Sequence, residues 1–278
     1  MKRINTKPWI AGLCLILVQF TNTSAQSLLN GPQKIVVDAK RDRLLASNYF
    51  TGDIVQIDSA GKQSYFIKEA GFTDGIEIMG DTIYGVGENR MIRAYNLVSA
   101  EPVFSITLPG EAENYLSSIT SDSAGHLFIS CPLLNEIYRM DIKKRSFWVF
   151  AHDNGLNKPN GILLERENKR IVVIDDSPDS KIHAVSLADS TVSELCSTSF
   201  YSPDGIIRDR SGSYYAGGYY LDGMYRIDPS FKRIELFYTG TTIVYPTYDR
   251  KNDAIIITHF DDNSWERVQI RDREQEKQ

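Results

Sequence analysis

The 278-residue sequence predicts an all-β protein, a six-bladed β-propeller with four-stranded antiparallel blades around a central channel. Three observations carry this reading. A short loop motif returns six times, a second motif returns six times in the same phase, and a β-branched or aromatic strand lies between the two in every copy.

The first motif is a polar residue, often followed by Gly, ahead of an apolar strand. It occurs at Asn30-Gly31-Pro32, Asp74-Gly75-Ile76, Ser117-Ser118-Ile119, Asn160-Gly161-Ile162, Asp204-Gly205-Ile206 and Tyr245-Pro246-Thr247, at intervals of 44, 43, 43, 44 and 41 residues. The second motif pairs two apolar residues three positions apart. It starts at Ile54, Ile92, Ile137, Ile182, Met224 and Trp265, at intervals of 38, 45, 45, 42 and 41 residues. Between them run Leu44 to Ser47, Thr82 to Val86, Leu127 to Ser130, Ile171 to Ile174, Tyr214 to Ala216 and Ala254 to Thr258. Turn chemistry follows the second motif, as in Asp58-Ser59-Ala60-Gly61, and leads to a fourth strand such as Ser64 to Ile67, Phe147 to Phe150 or Ile234 to Phe237. An evenly spaced β-sandwich would not bring the same residue types back in phase. The sixth copy lacks a clear fourth strand, so closure of the ring is expected to draw on Ser27 to Leu29.

The ends read differently. Lys2, Arg3 and Lys7 precede an apolar run from Trp9 to Phe20, and small residues follow up to Ala25. This is the pattern of a cleaved export signal over 1–25, which places the protein in the periplasm or outside the cell. The propeller then spans 26–270, with a charged tail over 271–278. Loss of three leader cations takes the formal charge from −5 to −8, against a nucleic-acid surface. No later run is long and apolar enough for a membrane span, and a monomer is expected. Of the cysteines, Cys131 and Cys196 remain beyond the leader, and both a disulfide and two thiols fit their spacing.

In such a ring the loops entering the innermost strands meet at the channel mouth. They bring Asn30, Asp74, Ser117, Asn160, Asp204 and Tyr245 to a common centre, and the loops joining second and third strands add Asn48, Glu88, Asn89, Asp175, Asp176, His259 and Asp261 around it. Oxygen donors dominate, which suits a hard divalent cation such as Ca²⁺. Asp74, Glu88, Ser117, Asp176, Tyr245 and His259 are the candidate contacts to a small-molecule ligand. Each Asp-Gly or Asn-Gly taken alone also has a plainer account as turn chemistry. His126, His152 and His183 belong to no constellation, and Tyr214, Tyr215, Tyr219 and Tyr220 are expected to pack between blades, with one or two able to stack on a ligand.

Lys158-Pro159-Asn160-Gly161-Ile162 and Ser202-Pro203-Asp204-Gly205-Ile206 resemble the gluconolactonase/regucalcin-like six-bladed propellers, and the resemblance spans the chain beyond its leader. It implies that Asn160 and Asp204 are ligands of a central divalent cation. That family has a glutamate ligand in a first-blade E-G-P segment, where Asn30-Gly31-Pro32 stands here, and an Asn in the third blade, where Ser117 and Ser118 stand. Asn30 is then the candidate third metal ligand, with Asp74 assisting. The pattern also resembles NHL-type repeats, which often serve as binding platforms.

Two functions follow. One is a metal-dependent hydrolase of a lactone or similar small ester, with the cation polarising the carbonyl and Asp204 as metal ligand or as the group acting on the attacking water. The other is a non-catalytic propeller that binds a sugar, peptide or protein partner in the same mouth.

Overall fold

The computed structural model describes residues 27–122 and 124–271, except for the Glu88 side chain. The leader over 1–25 and the tail from 272 onward lie outside the described residues. Six antiparallel sheets follow one another along the chain. Blade one holds β1 (Pro32–Asp38), β2 (Arg43–Asn48), β3 (Ile54–Asp58) and β4 (Gln63–Ile67). Blade two holds β5 (Ile76–Met79), β6 (Thr82–Gly87), β7 (Met91–Asn96) and β8 (Pro102–Thr107). Blade three holds β9 (Ile119–Ser121), β10 (His126–Cys131), β11 (Glu136–Asp141) and β12 (Ser146–His152). Blade four holds β13 (Pro159–Glu165), β14 (Arg170–Asp175), β15 (Lys181–Ser186) and β16 (Val192–Ser197). Blade five holds β17 (Gly205–Arg208), β18 (Tyr214–Gly217), β19 (Gly223–Ile227) and β20 (Ile234–Thr239). Blade six holds β21 (Thr247–Asp249), β22 (Ala254–His259) and β23 (Ser264–Gln269). The second motif falls in the third strand of all six blades.

The second strands read as continuous apolar runs because both of their faces are buried. Successive residues point to opposite faces, so each strand feeds two neighbouring cores. Ile171 and Val173 pack toward blade three, while Val172 and Ile174 pack toward blade five. Leu44 and Ala46 face blade six, and Leu45 faces blade two. The hydrophobic interior is therefore six wedges, one between each adjacent pair of blades.

Closure departs from expectation. Among the described residues blade six has three strands, and Ser27 to Leu29 forms none. That segment instead docks across the seam. The Leu28 N–H donates to Gln63 Oε1 at 2.7 Å, Asn48 Nδ2 donates to Leu28 O at 2.9 Å, and the Ser27 hydroxyl donates to Asn263 O at 2.8 Å. The wedge of Leu29, Ile35, Leu44, Val55 and Ile256 seals blade one to blade six. Among the described residues no helix is long and apolar enough to cross a membrane. Cys131 and Cys196 are both free thiols, which selects between the two readings of their spacing.

Candidate ligand site at the channel mouth

Strand register fixes which residue of each blade faces the channel. In blade four Pro159 pairs with Asp175 and Ile162 with Val173, across a bulge. In blade one Pro32 pairs with Asn48 and Ile35 with Ala46, across the same bulge. The blade-one counterpart of Asn160 is therefore Gln33, and Asn30 lies three positions ahead of it. Asn30 is exposed, with its N–H on Asn48 Oδ1 at 3.1 Å. In the other blades the same count along the register gives Asp74, Ser117, Asn160, Asp204 and Tyr245, so the ring reads Gln33, Asp74, Ser117, Asn160, Asp204 and Tyr245. The missed signal was the acid closing the inner hairpin. Asp38, Asp122, Glu165 and Asp209 each follow their ring residue by five positions.

The glycines after the ring residues have a cause other than turn chemistry. Neither Gly75 nor Gly161 has a left-handed backbone. A Cβ on Gly161 would lie 2.6 Å from Asp204 O and 2.9 Å from the Gly205 Cα, and one on Gly75 would lie 2.6 Å from Ser117 O. Glycine is required because the backbone of the next blade passes there.

Three ring side chains close on one another. Ser117 Oγ and Tyr245 Oη lie 2.5 Å and 2.7 Å from Asn160 Oδ1, and 2.6 Å from each other. The two hydroxyl protons are both directed at Asn160 Oδ1, which accepts two hydrogen bonds, so the Ser117–Tyr245 approach carries no proton of its own. Asn160 Nδ2 donates to Pro203 O at 3.3 Å and to Asp204 Oδ1 at 3.2 Å, while Asp204 Oδ2 accepts the Tyr219 N–H at 2.7 Å. Burial pushes the Asp204 carboxyl up to about 7, and the charge of Asp176 adds to the rise against the hydrogen bonds from Tyr219 and Asn160. Burial, then the charges of Asp74 and Asp204, hold the Tyr245 phenol neutral far above its usual range.

Tyr115, which the sequence reading missed, belongs to the same group. Burial raises its phenol, and the charges of Asp176, Asp74 and Asp204 raise it further. Its loop is held by Arg90, a buried guanidinium that donates to Asn114 O and the Tyr138 hydroxyl, each at 2.9 Å. Asp176 is half-buried, with its N–H on Lys158 O at 2.7 Å. His259 is drawn away from the ring, with Nε2 on Glu266 Oε1 at 2.9 Å. The Glu88 side chain lies outside the described residues. The three histidines expected to stand alone have acidic partners: buried His183 meets Asp175 at 2.8 Å, His126 meets Asp122 at 2.8 Å, and exposed His152 meets Asp153 at 3.4 Å.

On the far side of the ring the channel continues as a cavity of about 300 Å³, walled by Val36, Ile119, Ile162 and Ile206 with Lys34 and Glu77. Burial lowers the Lys34 ammonium and raises the Glu77 carboxyl, and the attraction between the two opposes both shifts.

Aromatic side chains border one side of the mouth. Tyr214 and Tyr215 are buried between blades as expected, whereas Tyr219 and Tyr220 are not. Phe50, Tyr49, Phe260, Tyr219, Tyr220 and Tyr201 form an unbroken row, with successive centroids 5.3, 5.7, 5.7, 5.0 and 5.6 Å apart. Its rings come from blades one, six and five and from the link between blades four and five.

The family resemblance implies a divalent cation in the ring, and the donor set does not fit one. The Asn160 amide has both ends engaged, and the Tyr245 hydroxyl fills the space beside it. The first blade offers the neutral Gln33, whose Oε1 is buried without a hydrogen-bond partner among the described residues. Ca²⁺ takes six to eight oxygens, and its affinity follows ligand charge.

No described protein family matches the sequence. No curated protein matches it either. Solved structures share its fold. A gluconolactonase from Xanthomonas campestris is 15% identical, with a TM-score of 0.71 and 84% of each chain covered. A Bacteroides thetaiotaomicron protein of unknown function is 12% identical, with a TM-score of 0.74, covering 88% of this chain and 70% of the other. Virginiamycin B lyase from Staphylococcus aureus is 15% identical, with a TM-score of 0.62, covering 87% and 85%. At these identities the likeness shows the fold alone, a propeller that a gluconolactonase also has.

Proposed function

We propose that this chain is an exported ligand-binding propeller, taking a small organic molecule at the channel mouth above the Ser117–Asn160–Tyr245 triangle. One observation carries the reading: the amide that a metal-dependent relative would turn toward a cation is saturated by two hydroxyls of its own ring. The exposed aromatic row supports it, since contiguous exposed aromatic surface marks binding sites. The position of Asp204 favours a second reading, a hydrolase of a lactone or similar ester. A carboxyl held near neutrality exchanges protons readily at working pH, and Asp204 would then be the group acting on the attacking water.

The test is a thermal-shift titration with Ca²⁺ beside a lactone turnover panel, each on the wild type and on Asp204→Ala. A ligand bound only by the native state raises its apparent stability. The binding reading expects no Ca²⁺ shift and no turnover. Turnover lost in Asp204→Ala replaces it with the hydrolase, and a Ca²⁺ shift lost in that variant restores the metal site.

A further inference from the structure

We infer that the mouth recognises an organic ammonium cation, with the positive charge beside Asp204 and the organic body on the aromatic row. This rests on the ligand-binding reading above and adds the chemical class of the ligand.

The first observation is where the exposed aromatics lie. Phe50 is 64% exposed, Tyr220 66% and Tyr201 56%, with Tyr49 and Tyr219 beside them. The other exposed large apolar side chains are scattered along outer strands and turns, such as Trp148 on β12 and Leu236 on β20. Among the described residues only the mouth joins rings from several blades in one row, and loops rather than strands supply them. Exposed loop aromatics of blade one, blade five and the link before it are bridged by the half-buried Phe260 of blade six into one continuous surface, the kind that marks a binding site.

The second observation is charge. The row is fastened to the ring by the Tyr219 N–H on Asp204 Oδ2, and the Tyr219 hydroxyl reaches Asp261 at 3.1 Å. Asp74, Asp176 and Asp204 all act on Tyr115, and Asp176 acts on Asp204 itself. Among the described residues no lysine or arginine pairs with Asp176, Asp204 or Asp261. An anionic ligand would meet these carboxylates at close range. A neutral one would use the rings and leave the charge of Asp176 beside Asp204 uncompensated. A cation relieves that repulsion and is attracted to aromatic faces. The closed triangle sets the depth, so the ligand rests on the ring and does not enter the channel.

The probes are choline and its uncharged isostere 3,3-dimethylbutan-1-ol, titrated calorimetrically into the full chain. Choline is expected to bind roughly tenfold more tightly than the alcohol. Asp204→Asn should remove most of that preference, and Tyr220→Ser, at an exposed position, should weaken choline binding several-fold. Equal binding of both probes overturns the ammonium assignment and leaves a mouth that binds neutral ligands. Binding of neither probe overturns it as well. A Ca²⁺-dependent thermal shift lost in Asp204→Ala removes the ligand-binding reading on which it rests.

Discussion

The Tyr245 hydroxyl of blade six stands 2.7 Å from the Asn160 amide oxygen of blade four, reaching across the channel between residues 85 positions apart. Tyr245→Phe keeps the ring and removes the hydroxyl, leaving Ser117 and Asn160 one partner short in a buried setting. A loss of about 1–2 kcal/mol is expected, measurable by denaturant unfolding with an unchanged m-value.

The blade-to-blade approach at Gly161 gives a sharper prediction. Gly161→Ala places a Cβ against the backbone of blade five, where no side chain can yield. The expected cost is about 2–3 kcal/mol. Gly161→Ser should be no better tolerated, which separates the steric cause from any need for a polar group.

Asp204 makes stability depend on pH. Its folded value of about 7 lies above the unfolded carboxylate value, so the native state favours the protonated form. The stabilisation is complete below about pH 4 and is lost as pH rises through 7. Across pH 5–8 the melting temperature of the wild type should fall relative to that of Asp204→Asn. Parallel curves would place Asp204 in a solvated setting.

Glu165 carries the opposite sign. Burial alone would raise its carboxyl, but hydrogen bonds from Tyr214, Asn168 and Arg170 outweigh burial and lower it. Arg170 Nε lies 2.5 Å from Glu165 Oε2, and Arg208 of blade five lies 3.4 Å from Oε1. This contribution is present above the unfolded carboxylate value and is lost as pH falls through the folded one. Glu165→Gln should cost about 3 kcal/mol at pH 7, and the difference from wild type should shrink on acidification.

The parts of this molecule written in the sequence are those governed by one strand at a time. Runs such as Ile171 to Ile174 announce a strand buried on both faces, and the phase of the third strands announces six copies. Ring residues in five blades were legible because each opens the repeated three-residue motif, two positions ahead of an inner-strand residue. Asn30-Gly31-Pro32 misled because it imitates the motif locally, while the channel position is counted back from the Asp38–Arg43 pair, the counterpart of Glu165–Arg170. The triangle at Asn160 was not legible, since it depends on how far a tyrosine reaches across the channel. Nor was the aromatic row, whose rings touch only after separate blades have been set side by side.

The central claim is that Tyr245, rather than a cation, completes the coordination of Asn160. A crystal structure grown in millimolar calcium tests it directly. The account predicts the Tyr245 hydroxyl within hydrogen-bonding distance of Asn160 Oδ1 and no ion in the ring. Density for an ion bound by Asn160 Oδ1 and Asp204, with Tyr245 swung aside, would contradict it.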